Sequence, residues 1–108
     1  MRLAVAGAFH TPIMQPAVEQ LAAALRDVSL SPLRVPVWAN VTAKPYQDTG
    51  EVAESLARQV VEPVLWEETL RGLIDSGCDR FYEIGPGRVL AGLLKRVSRK
   101  ADCRNVTA

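Results

Sequence analysis

The chain has 108 residues, 48% hydrophobic and 23% charged, with a formal net charge of +1. This length and composition predict a single globular domain over residues 1–108 and exclude a disordered chain. With 13 Lys+Arg against 12 Asp+Glu, no global charge points to nucleic acid, and no apolar run approaches the roughly 18–20 residues of a membrane span.

In chain order, Leu3-Ala4-Val5-Ala6-Gly7-Ala8-Phe9 is a continuous apolar run. It suits a strand buried on both faces, as in a parallel sheet. Preceded by Met1-Arg2, it looks like a miniature signal peptide but falls short of the roughly 15–30 residues one needs. The expectation is a soluble, cytoplasmic chain. Thr11-Pro12 breaks the run. From about Pro16, which suits a first helical turn, Val18, Leu21, Leu25 and Val28 mark the apolar face of a helix. Val37-Trp38-Ala39-Asn40-Val41 reads as a second short strand, and Lys44-Pro45 to Thr49-Gly50 as a polar loop.

Asp48 and Glu51 have the spacing of a capping box. The helix after them places Val52, Leu56 and Val60 on one stripe beside Ala53 and Ala57, and Pro63 ends it. A third helix is predicted from about Trp66 to Ser76, with Leu70, Leu73 and Ile74 inward and Gly77 as a left-handed stop. Arg80-Phe81-Tyr82-Glu83-Ile84 is a strand, Gly85-Pro86-Gly87 a turn, and Val89, Leu90, Leu93, Leu94 and Val97 mark a fourth helix. Cys103 to Val106 can add a short strand. The pattern is that of an α/β domain, a small parallel sheet flanked by helices. So few strands, starting directly on a buried-type one, look like part of a larger sheet.

His10 is the only histidine, placed where the first strand gives way to a helix. Sites in open α/β sheets cluster beyond the carboxyl ends of strands. A histidine there can be a general base for a hydroxyl or thiol, or a residue that only hydrogen-bonds locally. No partner nucleophile is evident: none of Ser29, Ser31, Ser55, Ser76 and Ser98 sits in a G-x-S-x-G elbow. Cys78 and Cys103 match neither a CxxC nor a zinc spacing. Reduced thiols and no metal site are expected. Gly85 and Gly87 fit part of a G-x-G-x-x-G pattern, but Leu90 holds the third position and Pro86 removes a donor, so a structural turn is favoured over a nucleotide site. Arg88, Lys95, Arg96, Arg99, Lys100 and Arg104 gather in the last quarter. They are either a solvated basic face or a landing patch for an acidic partner.

The segments GAFHTPIMQPAVEQL, VPVWANVTAKP, LARQVVEPVLW and FYEIGPGRVLAGLLKR, in this order, resemble malonyl-CoA:acyl carrier protein transacylases and the acyltransferase domains of polyketide synthases. The resemblance runs from Leu3 to about Arg99 and corresponds to the C-terminal third of such an enzyme. It implies part of the hydrolase-like α/β subdomain of the acyltransferase fold. His10 aligns with the catalytic histidine, and Gln59 with the glutamine whose main-chain carbonyl orients it. Phe9, just before the histidine, resembles the malonyl-selective type, a phenyl leaving no room for an α-methyl branch. Such a gate is worth about 1–3 kcal/mol at most.

The implied activity, in fatty acid or polyketide biosynthesis, moves a malonyl group from malonyl-CoA to the pantetheine thiol of acyl carrier protein through a seryl acyl-enzyme. No cofactor is implied: malonyl-CoA is a substrate, and the phosphopantetheine belongs to the carrier. The serine elbow and the arginine that grips the malonyl carboxylate belong to the family's N-terminal half, the missing partner of this segment. The chain alone is therefore expected to be inactive. Lys95 and Arg96 become candidate contacts for the carrier protein or coenzyme A. A non-catalytic module that only docks carrier protein is the alternative.

Overall fold

The computed structural model describes residues 7–107, and their contacts group into two units, Met1–Trp66 and Glu67–Ala108. The strand expected over residues 3–9 falls mostly outside the described residues. Gly7 to His10, which are described, form a bend and a turn rather than a strand.

In the first unit a 3-10 turn over Pro12–Met14 leads into α1 (Gln15–Arg26), with Pro16 in its first turn as expected. The helix ends at Arg26, short of Val28, which lies in the following connection and is exposed. α1 packs against α2 (Gly50–Gln59). At the start of α2, Asp48 Oδ1 accepts from the backbone N–H groups of Gly50 (2.7 Å) and Glu51 (3.2 Å). The Glu51 carboxylate reaches back to Gln47 N at 3.0 Å. The two residues thus work as a capping box whose return bond falls one residue early.

Between the helices the second predicted strand is corrected. β1 is only Trp38–Ala39 and pairs antiparallel with β2 (Lys44–Pro45), in what was expected to be loop. Ala43 N donates to Ala39 O at 2.9 Å and Ala43 takes φ 53°, turning the chain back on itself. A five-residue apolar run does not distinguish an arm of a hairpin from a strand of a parallel sheet. Burial on α2 also differs from the predicted stripe: Ala57 and Ser55 are buried and Leu56 is exposed.

The second unit takes α3 (Trp66–Asp75), less its first residue, then β3 (Arg80–Ile84), α4 (Val89–Val97) and β4 (Asp102–Val106). Leu70 is buried, and Gly77 follows α3 at φ 101°, the left-handed stop read from the sequence. β3 and β4 pair in parallel over the register Arg80↔Asp102 to Ile84↔Val106, with α4 as the crossover and packed on β4. The expected α/β architecture with a small parallel sheet is present, and the tail does supply a strand. On α4 the buried residues are Ala91 and Leu94; Val89 and Leu90 are exposed, contrary to expectation. Periodicity reports an apolar face but not whether the chain at hand covers it.

The buried apolar set is mostly small, with Ala39, Val41, Ala57, Leu70, Ala91, Leu94 and Ala101 among the described residues. Large side chains are left in solvent, including Ile84 (83% exposed), Ile13 (76%) and Val89 (72%). Parallel strands are ordinarily covered on both faces, whereas Ile84 at the end of β3 is open to solvent. Among the described residues no helix is long and apolar enough to cross a membrane.

Candidate active site

The site is assembled at the C-terminus of α2. An α-helix leaves its last carbonyls without intrahelical donors. The donor due to Gln59 O would come four residues on, but that residue is Pro63, which has no N–H. The last turn closes instead through Val60 N to Ala57 O (3.3 Å) and through Val61 N and Glu62 N to Arg58 O (3.1 and 3.0 Å). The carbonyls of Gln59 and Val60 remain, and both are taken by one residue. His10 N donates to Val60 O at 3.0 Å, and His10 Nδ1 lies 2.6 Å from Gln59 O.

A carbonyl oxygen only accepts, so the proton of the neutral ring is assigned to Nδ1. Nε2 is then left with its lone pair free, the form a general base needs. Positive charge acquired at Nε2 would be spread over a ring facing the negative end of the α2 dipole.

Reaching this position requires an unusual backbone. His10 has φ 61°, in the left-handed region that costs a non-glycine residue about 1–2 kcal/mol. The turn is closed around it by Thr11, whose Oγ1 donates to Ala8 O at 2.6 Å, and by Met14 N donating to Thr11 O at 3.0 Å. Beyond α2, the Gln59 side chain donates through Nε2 to Glu62 O (2.9 Å) and Pro63 O (3.0 Å). Arg58 grips Glu62 by a bidentate pair at 2.9 and 3.0 Å. That bond is the main reason the Glu62 carboxyl is held below the usual carboxylate range.

A cleft of about 410 Å³ opens beside the ring, lined by Phe9, His10 and Gln59 together with Met14, Leu21 and Leu56. Leu56, unexpectedly exposed on α2, is therefore part of this apolar wall. Sequence reasoning missed Val60 and Thr11. Threonine next to a turn is a signal for the latter, whereas a backbone acceptor such as Val60 O carries no side-chain signature.

Of the other expected site residues, Lys95 and Arg96 lie in the last turn of α4, in the second unit. Lys95 Nζ donates to Ala101 O (2.7 Å) and Arg99 O (3.4 Å), so it ties the end of α4 to the start of β4. Arg96 is exposed. Among the described residues no group of three His, Cys, Asp or Glu side chains could hold a metal ion.

The glycine turn has a definite structural explanation. Gly85 and Gly87 take φ 124° and 90°, and Asn105 Nδ2 bonds the carbonyls of Glu83, Gly85 and Gly87 at 3.2, 3.1 and 2.7 Å. At the start of α4 the Glu83 carboxylate accepts from Leu90 N and Ala91 N, both at 3.0 Å. A negative group of the chain itself thus occupies the helix N-terminus where a phosphate would bind. Glu83→Ala is expected to cost about 1–2 kcal/mol of stability, in the manner of a lost N-cap. An unchanged denaturation midpoint would refute this capping role.

No model of a known protein family matches the chain. It is 44% identical over 104 residues to a Drosophila melanogaster protein named probable mitochondrial malonyl-CoA-acyl carrier protein transacylase, covering 93% of this chain and 27% of that protein. Among solved structures, malonyl CoA-acyl carrier protein transacylase from Clostridium perfringens superposes with a TM-score of 0.93 at 36% identity, over 98% of this chain and 34% of that one. A malonyl-transacylase in complex with its type II polyketide synthase acyl-carrier protein gives 0.90 at 36% identity, over 96% and 34%. The resemblance read from the four segments is borne out, and the fold is that of the matching part of these enzymes. The chain spans about a third or less of the length of each.

Proposed function

We propose that this chain is the part of a malonyl-CoA:acyl carrier protein transacylase that carries the proton-shuttling histidine. The observation that supports it most directly is the 2.6 Å contact between His10 Nδ1 and Gln59 O, which leaves Nε2 free to act. In the proposed reaction His10 Nε2 takes the proton of a serine hydroxyl supplied by the rest of the enzyme. The serine oxygen attacks the malonyl thioester carbon, the C–S bond breaks, and coenzyme A leaves with the proton from the imidazolium. The pantetheine thiol of the carrier protein then gives its proton to Nε2 and attacks the seryl ester. The serine leaves and regains that proton. Gln59 O holds the ring throughout, the part the acidic member plays in a Ser-His-Asp triad.

Phe9, on the wall of the cleft beside His10, is proposed to favour unbranched malonyl groups. With Lys95 engaged by backbone carbonyls, Arg96 is the stronger candidate contact for acyl carrier protein. The remaining partner is the rest of the transacylase, which would cover the exposed apolar residues of β3 and α4. The transfer invokes no cofactor, nucleic acid or membrane. The proposed compartment is the cytoplasm, with the mitochondrion as the alternative that the Drosophila relative's name raises.

Intact-mass analysis after incubation with malonyl-CoA tests the reading. The chain alone is expected to gain no adduct, and addition of the missing part in trans is expected to restore transfer to carrier protein. A serine-linked malonyl adduct on the chain alone would contradict the assignment of the nucleophile to the missing part. Carrier binding without restored transfer would favour the non-catalytic docking module.

A further inference from the structure

We propose that the side-chain carboxamide of Gln59, and not only its backbone carbonyl, positions His10. Any residue at this place offers a carbonyl, so the carbonyl does not explain what a glutamine side chain adds. The carboxamide donates both its hydrogens past the end of α2, to Glu62 O at 2.9 Å and Pro63 O at 3.0 Å. It thereby ties the segment after the helix back to the residue whose carbonyl faces the imidazole.

Three other links hold the same segment to α2: Val61 N and Glu62 N to Arg58 O at 3.1 and 3.0 Å and the Arg58–Glu62 bidentate pair. All three end on Arg58, one residue before the acceptor, whereas the carboxamide ends on Gln59 itself. Without it, the Gln59–Val60 peptide keeps its long Val60 N to Ala57 O bond (3.3 Å) but loses the tie from beyond the helix, so it can tilt and move the two carbonyls that grip His10. The strained φ of 61° at His10 then loses one of its constraints. Gln59 is in this sense a positioning residue that acts through its own peptide group. Its bearing on catalysis rests on the proposed function; its effect on the ring does not.

The chain holds a single histidine, so a long-range proton–nitrogen NMR spectrum of the full chain reports one imidazole without assignment. The wild type is expected to carry the neutral-state proton on Nδ1. Gln59→Met removes the donors and keeps a long side chain; Gln59→Glu keeps the shape and replaces the donors by acceptors. Each is expected to lower the Nδ1–H to Nε2–H ratio about tenfold, the size of one net hydrogen bond. In a full-length transacylase carrying this segment the same variants are expected to lower kcat about tenfold at unchanged KM.

A tautomer ratio equal to wild type in folded Gln59→Met would overturn the proposal whatever the activity. Should both variants unfold, hydrogen exchange of the wild-type Gln59 carboxamide decides. Protection is expected, and exchange at the rate of a free amide overturns the proposal. If His10→Ala leaves transfer intact while the Gln59 variants shift the tautomer, the proposed function fails and the positioning role stands.

Discussion

Malonyl transfer by a full-length protein carrying this segment is expected to fall by about 10²–10⁴-fold when His10 is replaced by alanine, the usual contribution of a positioned general base. The loss should appear in kcat, because in the proposed reaction the imidazole acts on the serine and thiol protons rather than in holding malonyl-CoA. The same position makes an independent prediction about stability. His10 sits at φ 61°, where glycine is at ease and a residue with a Cβ is strained by about 1–2 kcal/mol. His10→Gly is therefore expected to melt at a higher temperature than His10→Ala, the reverse of the ordinary order of these two residues. Both variants lose the Nδ1 bond to Gln59 O, so the comparison isolates the backbone. Transfer persisting at the wild-type rate in His10→Ala would sink the assignment of the base. A glycine variant less stable than the alanine variant would refute the account of the turn.

The second large effect is expected at Leu94, which is 2% exposed and the one large side chain fully buried among the described residues. Leu94→Ala is expected to cost about 2–5 kcal/mol, combining lost burial with the cavity left behind. That is a large part of the roughly 5–15 kcal/mol that holds a typical domain together, and the other buried apolar residues of α4 and the segment after it, Ala91 and Ala101, are small. Denaturant titration should show the β3–α4–β4 unit losing its cooperative transition. The half-buried Leu93 is the natural control: Leu93→Ala should lose distinctly less. Equal losses at the two positions would show that α4 is not fixed by Leu94.

Much of the secondary structure was legible in the sequence because its signals are local. Pro16 in a first turn, Asp48 and Glu51 at a helix start, and Gly77 at a helix stop each act within a few residues, and each does so in the structure. The parallel pairing of β3 with β4 followed from strand, helix and strand in succession. The hairpin of β1 and β2 was not legible, since it depends on the left-handed turn at Ala43, and alanine gives no sign of one. The exposure of Val89 and Leu90 was hidden for another reason. An apolar helix face is written in the chain that carries it, while the surface that covers it can be written elsewhere.

The candidate site divides in the same way. His10 stood out as the lone histidine at a strand-to-helix junction, but its partner came only through the family resemblance. The two residues are 49 positions apart and meet through a main-chain oxygen, which has no side-chain identity to read. Pro63 was visible as the end of a helix. That it also strips Gln59 O of its helical donor, and so releases that oxygen for the imidazole, is a consequence only the folded geometry makes plain.

The choice of a peptide oxygen as the ring's partner has a consequence for how that partner responds to acid. A carboxylate partner would itself take up a proton, and the two groups would then titrate as a coupled system with macroscopic constants belonging to neither. Gln59 O cannot ionise. A peptide oxygen carries no charge to lose, so the partner's hold on the ring is never cancelled by neutralising the partner.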